Sequence, residues 1–409
     1  MKKRNPSEVW TLNAAKDEEI DGGKISIARR RVMSEPPLVS KLTRRLWAFV
    51  VTELFLAGLA VCVATAANWQ AEWERTVGAA KAEGRLTLYA NTGYEKIFQP
   101  FEKRYPEIKV VYVSGRGAPD IVPRLLSEQR ARKYLGDLFL AGVTPAFTLH
   151  EAGALVPMRP ALILPEVVDK SKWWERRLPF VDKEDQYIFA MNGMFRVEVV
   201  YNTKLVDPKE LKSYWDLLNP KWKGKIVMYT QPLSQLKYFY YHPDLGPEFL
   251  RRLFSEMEVT PSGDMRQIAD WLAAGKFPLA IVSPIADIMI AEKQGLPIGI
   301  FQPDHFKEGT NLVAAAGSAS LLKNVPHPNA AKVALNWLLS REGQIAFQKG
   351  YADVAGAAES RRIDIPKDEV RSEYRRRDGV KYLDMERYEF VDPKPITDLM
   401  KKFLKTPGR

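Results

Sequence analysis

Cysteine and histidine are scarce in this chain of 409 residues. The single cysteine, Cys62, excludes a disulfide bond within one molecule and a thiolate metal site. The four histidines lie far apart in the sequence, and none has the spacing of a ligand pair such as H-x-x-x-H. From these two shortages we predict no metal site and no cofactor.

Catalytic signatures are also missing. The chain has no G-x-S-x-G elbow, no H-E-x-x-H, no P-loop lysine and no complete G-x-G-x-x-G. The formal net charge is +11, but the basic residues are interleaved with acids rather than clustered on one helix. We therefore predict a protein without catalytic residues that does not bind nucleic acid. An anionic small ligand suits the positive charge.

A long apolar run occurs only near the start of the chain. Residues 41–66 carry a basic head, an apolar stretch and a small-residue cleavage site, which predicts a cleaved signal peptide and export to the periplasm. A retained membrane anchor is the alternative, which Glu53 in mid-run disfavours. A second alternative is lipidation of the chain at Cys62. Met33 begins a leader of ordinary length, so we interpret residues 1–32 as a misassigned gene start.

Strand and helix patterns alternate along the rest of the chain. "RLTLYA", "IKVVYVSG" and "GDLFLAG" read as strands, each followed by a helical pattern. This alternation predicts an α/β fold with a largely parallel sheet. "QYIFAMNGMFRVEVVYNTK", residues 186–204, is β-rich without a helical period and predicts a crossover between two α/β halves. The strand and helix alternation then resumes.

Ligands of open α/β sheets bind beyond the carboxyl ends of the strands, at the N-termini of the following helices. Such N-termini favour anions. Arg116, between two glycines, has a planar guanidinium group suited to a carboxylate or phosphonate, although an exposed turn arginine is the alternative. The predicted ligand-binding residues are Asn91, Thr92, Gly93, Ser114, Arg116, Gly117, Asn192, Thr230, Gln231 and Ser283.

Several motifs resemble the extracellular solute-binding proteins of ABC importers, especially the iron(III)-binding branch. They include "IFQPFEKRYPEIKVVYVSGRG", "SYWDLLNPKWKGKIVM" and "LLKNVPHPNAAKVALNWLLSREGQ". The resemblance implies a type II periplasmic binding protein, in which two α/β lobes are joined by crossover hinge strands around a ligand cleft. After the leader at 1–66, lobe one would comprise 67–195 plus 316–409, and lobe two 196–315.

The resemblance does not extend to the iron ligands. Iron-binding members share an adjacent tyrosine pair after a late strand of lobe two, and the matching "LAIVSPIADIM" has no tyrosine. Tyr240 and Tyr241 lie in another segment, and we interpret them as packing residues. We expect a monomer that captures a small anionic organic solute and delivers it to an ABC permease in the inner membrane. The alternatives are an iron(III) or metal-chelate binding protein, a ligand sensor, and a periplasmic enzyme on the same fold.

Overall fold

Four of the predicted site residues and the predicted leader lie outside the part of the chain that the structure describes. The four residues are Arg116, Gly117, Gln231 and Ser283. Within the described part, no helix is both long and apolar enough to cross a membrane. The computed structural model describes residues 68–115, 118–230, 234–282, 286–314, 317–355, 359–370 and 375–403.

The first sheet has six strands, and the early alternating segments form one side of it. Its order is β2-β1-β3-β13-β4, with β5 also paired to β13. β1 runs parallel to β2 and β3, whereas β13 is antiparallel to β3 and β5. The strands are β1 (Arg85–Asn91), β2 (Lys109–Gly115), β3 (Leu138–Ala141), β4 (Leu155–Val156), β5 (Phe189–Ala190) and β13 (Ser318–Leu322).

Helices cover both faces of this sheet, as the alternating pattern predicts. An aromatic cluster fixes one face, because the Trp337 ring packs on Phe98 and Phe101 with centroid separations of 5.2 and 5.3 Å. All three side chains are buried. The helices are α1 (residues 68–83), α2 (Tyr94–Arg104), α3 (Ala118–Arg130), α4 (Val143–Glu151), α5 (Pro165–Val168), α10 (Pro328–Leu339) and α11 (Arg341–Ala355).

The second sheet has the order β11-β7-β10-β8-β9 and its own hydrophobic core. β8 pairs in parallel with β9 and β10, and β7 is antiparallel to β10 and β11. Its strands are β7 (Val199–Asn202), β8 (Ile226–Tyr229), β9 (Thr260–Ser262), β10 (Leu279–Ile281) and β11 (Ile298–Ile300). Its helices are α6 (Ser234–Tyr241), α7 (Gly246–Glu256), α8 (Met265–Ala273) and α9 (Ala286–Lys293).

A small third sheet lies where the chain passes between the two larger ones. It consists of β6 (Met194–Arg196), β12 (Thr310–Val313) and β14 (Tyr382–Asp384), in the order β14-β12-β6. The chain leaves the first sheet after β5, runs through β6 and enters the second sheet at β7; it returns through β12 to β13. The β-rich segment 186–204 therefore forms the crossover, and the predicted α/β fold class is confirmed.

The C-terminal segment departs from the expected boundaries, which placed all of 316–409 in lobe one. β14 pairs with β12, and the last helix, α12 (Lys394–Phe403), packs on α7 and α6 of the second sheet. Ile396 is fully buried in that core. Strand and helix periodicity identifies such elements but not the sheet that they join. The segment therefore crosses from the first sheet to the second, because the second sheet offers the apolar surface that α12 covers.

Candidate functional site

Five strand ends meet on one edge of the first sheet. Asn91 at the end of β1 pairs with Gly115 at the end of β2. Ser318, at the start of β13, lies between Ala141 at the end of β3 and Ala190 at the end of β5. The carboxyl ends of four strands thus lie beside the amino end of the fifth, which is the location predicted for a ligand.

The loop after β1 brings four predicted site residues together. The Thr92 hydroxyl donates a hydrogen bond of 3.3 Å to the last carbonyl of β2. The Gly93 N–H donates to Glu95 Oε2 at 2.8 Å, and the Ser114 hydroxyl lies 3.5 Å from Glu95 Oε1. Asn91 Oδ1 is buried and has no hydrogen-bond partner among the described residues. This corner therefore has one unused acceptor and one carboxylate.

Sequence reasoning missed Glu95. It lies in the first turn of α2, where an acidic residue complements the helix dipole, and that position was the available signal. Its carboxylate already accepts the Gly93 N–H, so the N-terminus of α2 is less free to bind an anion than we expected.

The loop after β2 is tight at Gly115. A Cβ atom on this residue would lie 2.9 Å from the Cβ of Asp120, so a side chain here would displace the first turn of α3. Arg116 and Gly117, which follow, lie outside the described residues. Their predicted role therefore stays a prediction, now with the carboxylate of Asp120 close to the loop.

Asn192 lies beyond the end of β5 on the same edge. Its side chain is fully buried, and neither its Oδ1 nor its Nδ2 has a hydrogen-bond partner among the described residues. A Cβ atom on Gly317 would lie 1.9 Å from Asn192 Oδ1, so the amide lies directly over that glycine. The backbone of Asn192 is held by a bridge to Ser360 and by Arg361, whose Nε donates to the Asn192 carbonyl at 2.8 Å.

Thr230 follows β8 and belongs to the second sheet. Its N–H and hydroxyl both donate to the Ser262 carbonyl, at 3.0 and 3.2 Å. The Thr230 hydroxyl thus secures the end of β9, a structural use that sequence reasoning did not anticipate. Gln231 and Ser283, predicted beside it, lie outside the described residues.

The sequence profile of a family described as "Bacterial extracellular solute-binding protein" matches residues 88–345. The chain belongs to this family. The match includes both larger sheets and ends before the C-terminal segment that holds Asn192 in place. The predicted resemblance to substrate-binding components of ABC importers is thus confirmed.

Similar proteins agree with this family. Iron uptake protein A1 of Synechocystis is 22% identical over 328 residues, which cover 75% of this chain and 85% of that protein. A Trichodesmium protein in complex with iron and citrate superimposes with a TM-score of 0.57 at 21% identity, covering 78% of this chain and 99% of the other. An ABC transporter protein of Clostridium perfringens superimposes with a TM-score of 0.59 at 17% sequence identity. The match covers 78% of this chain and 100% of that protein. The type II periplasmic binding protein fold is confirmed.

In this solute-binding protein Tyr240 and Tyr241 pack as we interpreted them. Both rings contact the hydrophobic core of the second sheet, and their centroids lie 5.0 Å apart. The Tyr241 hydroxyl donates to the Asp392 carbonyl at 2.8 Å, and its ring lies against Phe390. Among the described residues no group of three His, Cys, Asp or Glu side chains is placed to hold a metal ion.

A buried ionic network adjoins Asn192. The Arg361 guanidinium group, fully buried, donates two hydrogen bonds to Asp384, at 2.5 and 2.8 Å. Burial, the largest single influence, would raise the pKa of Asp384, but the charge and hydrogen bonds of Arg361, together with Arg177 and the Glu386 N–H, outweigh it and lower that pKa below its usual value. Burial raises the pKa of Glu386, which accepts the Ala314 N–H at 2.6 Å. The C-terminal segment thus places strong charges beside the crossover.

Lys367 belongs to the same network. Burial lowers its pKa to about 8, although Glu359 lies 3.2 Å from its Nζ and opposes that shift. The Nζ also donates to the carbonyls of Ser360 and Arg362, both at 3.1 Å. The lysine thus helps to shape the backbone next to Asn192.

We expect the free energy of unfolding to rise between about pH 8 and pH 10 because of Lys367. An unfolded lysine titrates near 10.4, so in this window the unfolded chain binds more protons than the folded one. The gain is up to about 3 kcal/mol. Urea unfolding at several pH values should show a shallower rise for Lys367→Met than for the wild type. The exposed Lys349→Met variant is the control, and equal slopes for Lys367→Met and the wild type would refute the prediction.

Proposed function

We propose that this solute-binding protein captures a small anionic organic solute in the periplasm and delivers it to an ABC permease in the inner membrane. It acts as a monomer and leaves the solute chemically unchanged. Capture proceeds by closure of one lobe, built on the first sheet, against another, built on the second, about the third sheet.

The unused amide groups on the first-sheet edge carry the proposal. Asn91 Oδ1 and both amide atoms of Asn192 are buried without a hydrogen-bond partner among the described residues. Such groups reduce stability unless something binds them, and they are rare in folded proteins. Both lie at strand ends of one edge, where this type of sheet binds ligands. An anionic solute would satisfy them if its carboxylate accepted from Asn192 Nδ2 and a hydroxyl or ammonium group donated to the amide oxygens.

A ferric chelate is the second candidate. The similarity to Synechocystis iron uptake protein A1 and to a Trichodesmium protein that holds iron with citrate favours it. A ferric ion bound by protein alone needs several oxygen ligands. The carboxylates of Glu95 and Asp120 near the edge offer two. An organic anion would have to supply the others, so both candidates include an anion that contacts the protein.

The Arg116→Ala variant tests the proposal. A ligand at 100 times its dissociation constant adds about 2.7 kcal/mol to the free energy of unfolding. We expect thermal unfolding of the wild type to shift upward by several degrees with one member of a panel of small organic anions. The shift should be much smaller in Arg116→Ala, because a charged, bidentate contact is lost.

Arg130→Ala is the matched control, since Arg130 is an exposed arginine at the other end of α3. It should respond to the anion as the wild type does. Stabilisation by ferric citrate but not by metal-free citrate would favour the chelate. A full anion response in Arg116→Ala would show that this arginine is only a turn residue.

A further inference from the structure

The N-terminus of α4 lies on the ligand edge, and no side chain of the described residues caps it. Gly142 is its N-cap residue and has an extended conformation. Because glycine has no side chain, this residue cannot cap the helix as serine or aspartate would. The first N–H groups of a helix have no partner within it, and they favour an anion. Because α4 has nine residues, its dipole is that of an ordinary helix.

The unpartnered amide of Asn192 lies beside this helix end. Ser318 pairs with Ala141 on one side and with Ala190 on the other, so Gly317 lies between residues 142 and 191. The Asn192 amide lies over Gly317, because a Cβ atom added to this glycine would be only 1.9 Å from Asn192 Oδ1. Neighbouring strands are about 4.8 Å apart, so the amide and the α4 N-terminus can contact one small group.

Another helix end on this edge, that of α2, is already occupied. The N-terminus of α2 has its Gly93 N–H bound to Glu95, 2.8 Å from Oε2. The Glu95 carboxylate would repel a negatively charged group of a ligand, which could bind there only by displacing it. The helix ends of α2 and α4 are therefore unequal, because no carboxylate among the described residues caps the N-terminus of α4.

The charges behind Asn192 also favour an anion. Arg361 contacts the Asn192 carbonyl directly, and the network it belongs to contains four cations and four carboxyl groups. Burial raises the pKa of one of those carboxyl groups, Glu386, which favours its neutral form. The cations are Arg177, Arg361, Lys367 and Arg376, and the carboxyl groups are Glu175, Glu359, Asp384 and Glu386.

We propose that the Asn192 amide and the N-terminus of α4 bind the carboxylate of the transported solute, while Asn91 Oδ1 and Glu95 accept hydrogen bonds from its hydroxyl or ammonium group. This inference rests on the solute-receptor function proposed above and specifies its substrate class. Asn91 ends β1, which pairs with β3, the strand that leads into α4. The carboxylate of the solute and its hydroxyl or ammonium group must therefore lie only a few bonds apart. Hydroxy acids and amino acids have this arrangement.

Gly317 keeps the Asn192 amide in reach of the solute. Any side chain at this position would collide with Asn192 Oδ1, so the amide would have to rotate or move away. Gly317→Ala should therefore weaken carboxylate binding without removing a polar group from the site. This second variant tests the same subsite by displacing the Asn192 amide, whereas Asn192→Ala removes it.

Three matched pairs of probes test the proposal in metal-free buffer: malate with succinate, citrate with tricarballylate, and glutamate with glutarate. Only the first member of each pair has a hydroxyl or ammonium group. We expect isothermal titration to show that the wild-type chain binds at least one first member, and binds its partner more weakly. Asn192→Ala should weaken that binding about 10- to 100-fold, the effect of losing a hydrogen bond to a charged group.

The unfolding temperature separates a binding role for Asn192 from a structural one. Because the Asn192 amide has no described partner, Asn192→Ala should leave the unfolding temperature of the free protein unchanged or raise it. Asn336→Ala is the control: that buried amide bonds the N–H groups of Ile163 and Leu164, so its loss should lower the temperature but spare binding. A large drop for Asn192→Ala would assign the residue a structural role.

Each further outcome decides between the two proposals. Equal carboxylate binding by the wild type, Asn192→Ala and Gly317→Ala would overturn the subsite and leave the receptor function standing. Binding of inorganic phosphate or of ferric citrate, but of no metal-free carboxylate, would overturn both the subsite and the organic solute, and would leave the receptor function standing. If no anion binds the wild type, the subsite and the proposed solute are both wrong.

Discussion

Replacing Arg361 with alanine is expected to lower the free energy of unfolding by about 3–5 kcal/mol. Arg361 is fully buried and donates two hydrogen bonds to Asp384, which is itself almost fully buried. Removal of the guanidinium group leaves this carboxylate with the partly exposed Arg177, 3.1 Å away, as its ion-pair partner among the described residues. It also removes the 2.8 Å bond to the Asn192 carbonyl. Urea unfolding measures the loss.

A double variant distinguishes the ion pair from simple packing. Arg361→Met with Asp384→Asn removes both charges and keeps most of the volume, so it should be clearly more stable than Arg361→Ala. Arg361→Lys should fall between the wild type and Arg361→Ala, because an ammonium group lacks the planar fork that fits a carboxylate. If Arg361→Ala lost less than 1 kcal/mol, the C-terminal segment would not depend on this pair.

Ile396→Ala should cost about 2–5 kcal/mol, the range for deleting a fully buried aliphatic side chain. Ile396 is the residue of α12 that is fully buried in the core of the second sheet, and Leu399, Met400 and Phe403 pack against that core. The smaller side chain leaves a cavity between α12 and α7, and the surrounding structure can close it only in part. Thermal and urea unfolding should both show the loss.

Lys401→Ala is the matched control within the same helix. Lys401 is exposed in the last turn of α12, where a surface substitution changes stability by no more than about 0.5 kcal/mol. Near-equal stability of Ile396→Ala and the wild type would mean that α12 docks on the second sheet without stabilising it. A lower urea midpoint for Ile396→Ala with an unchanged m value would confirm a loss of packing alone.

Both predictions concern residues beyond the family match at 88–345. The segment after α11 nevertheless contacts all three sheets. Ser360 forms a bridge with Asn192 beyond the end of β5, β14 pairs with β12, and α12 packs on the second sheet. It therefore stabilises the crossover, and through Arg361 it fixes the backbone of a residue that we propose contacts the solute.

Local patterns along the sequence were enough for the fold class. The alternation of Leu86 and Leu88 with less apolar neighbours marks β1, and the last glycine of "NWQAEWERTVGAAKAEG", Gly84, marks the end of α1. Such signals depend on residues a few positions apart, so they can be recognised in the sequence without knowledge of the tertiary structure. The sheet that α12 joins depends on surfaces more than a hundred residues away in sequence, and no local pattern encodes it.

The site shows the same division. Residue type and position after a strand were sufficient to predict Asn91, Thr92, Gly93 and Ser114 together beyond strand ends of lobe one, because carboxyl ends of neighbouring strands converge in this fold. Asn192 was expected across the cleft with Thr230, whereas the structure places it beyond the end of β5, on the same edge as Asn91. Only the tertiary structure decided how these groups are used. It assigned Glu95 to the Gly93 N–H, gave the Thr230 hydroxyl to Ser262 and left the Asn192 amide without a described partner. The physical reason is that a hydrogen bond depends on distances between atoms, and folding sets those distances between residues far apart in the chain.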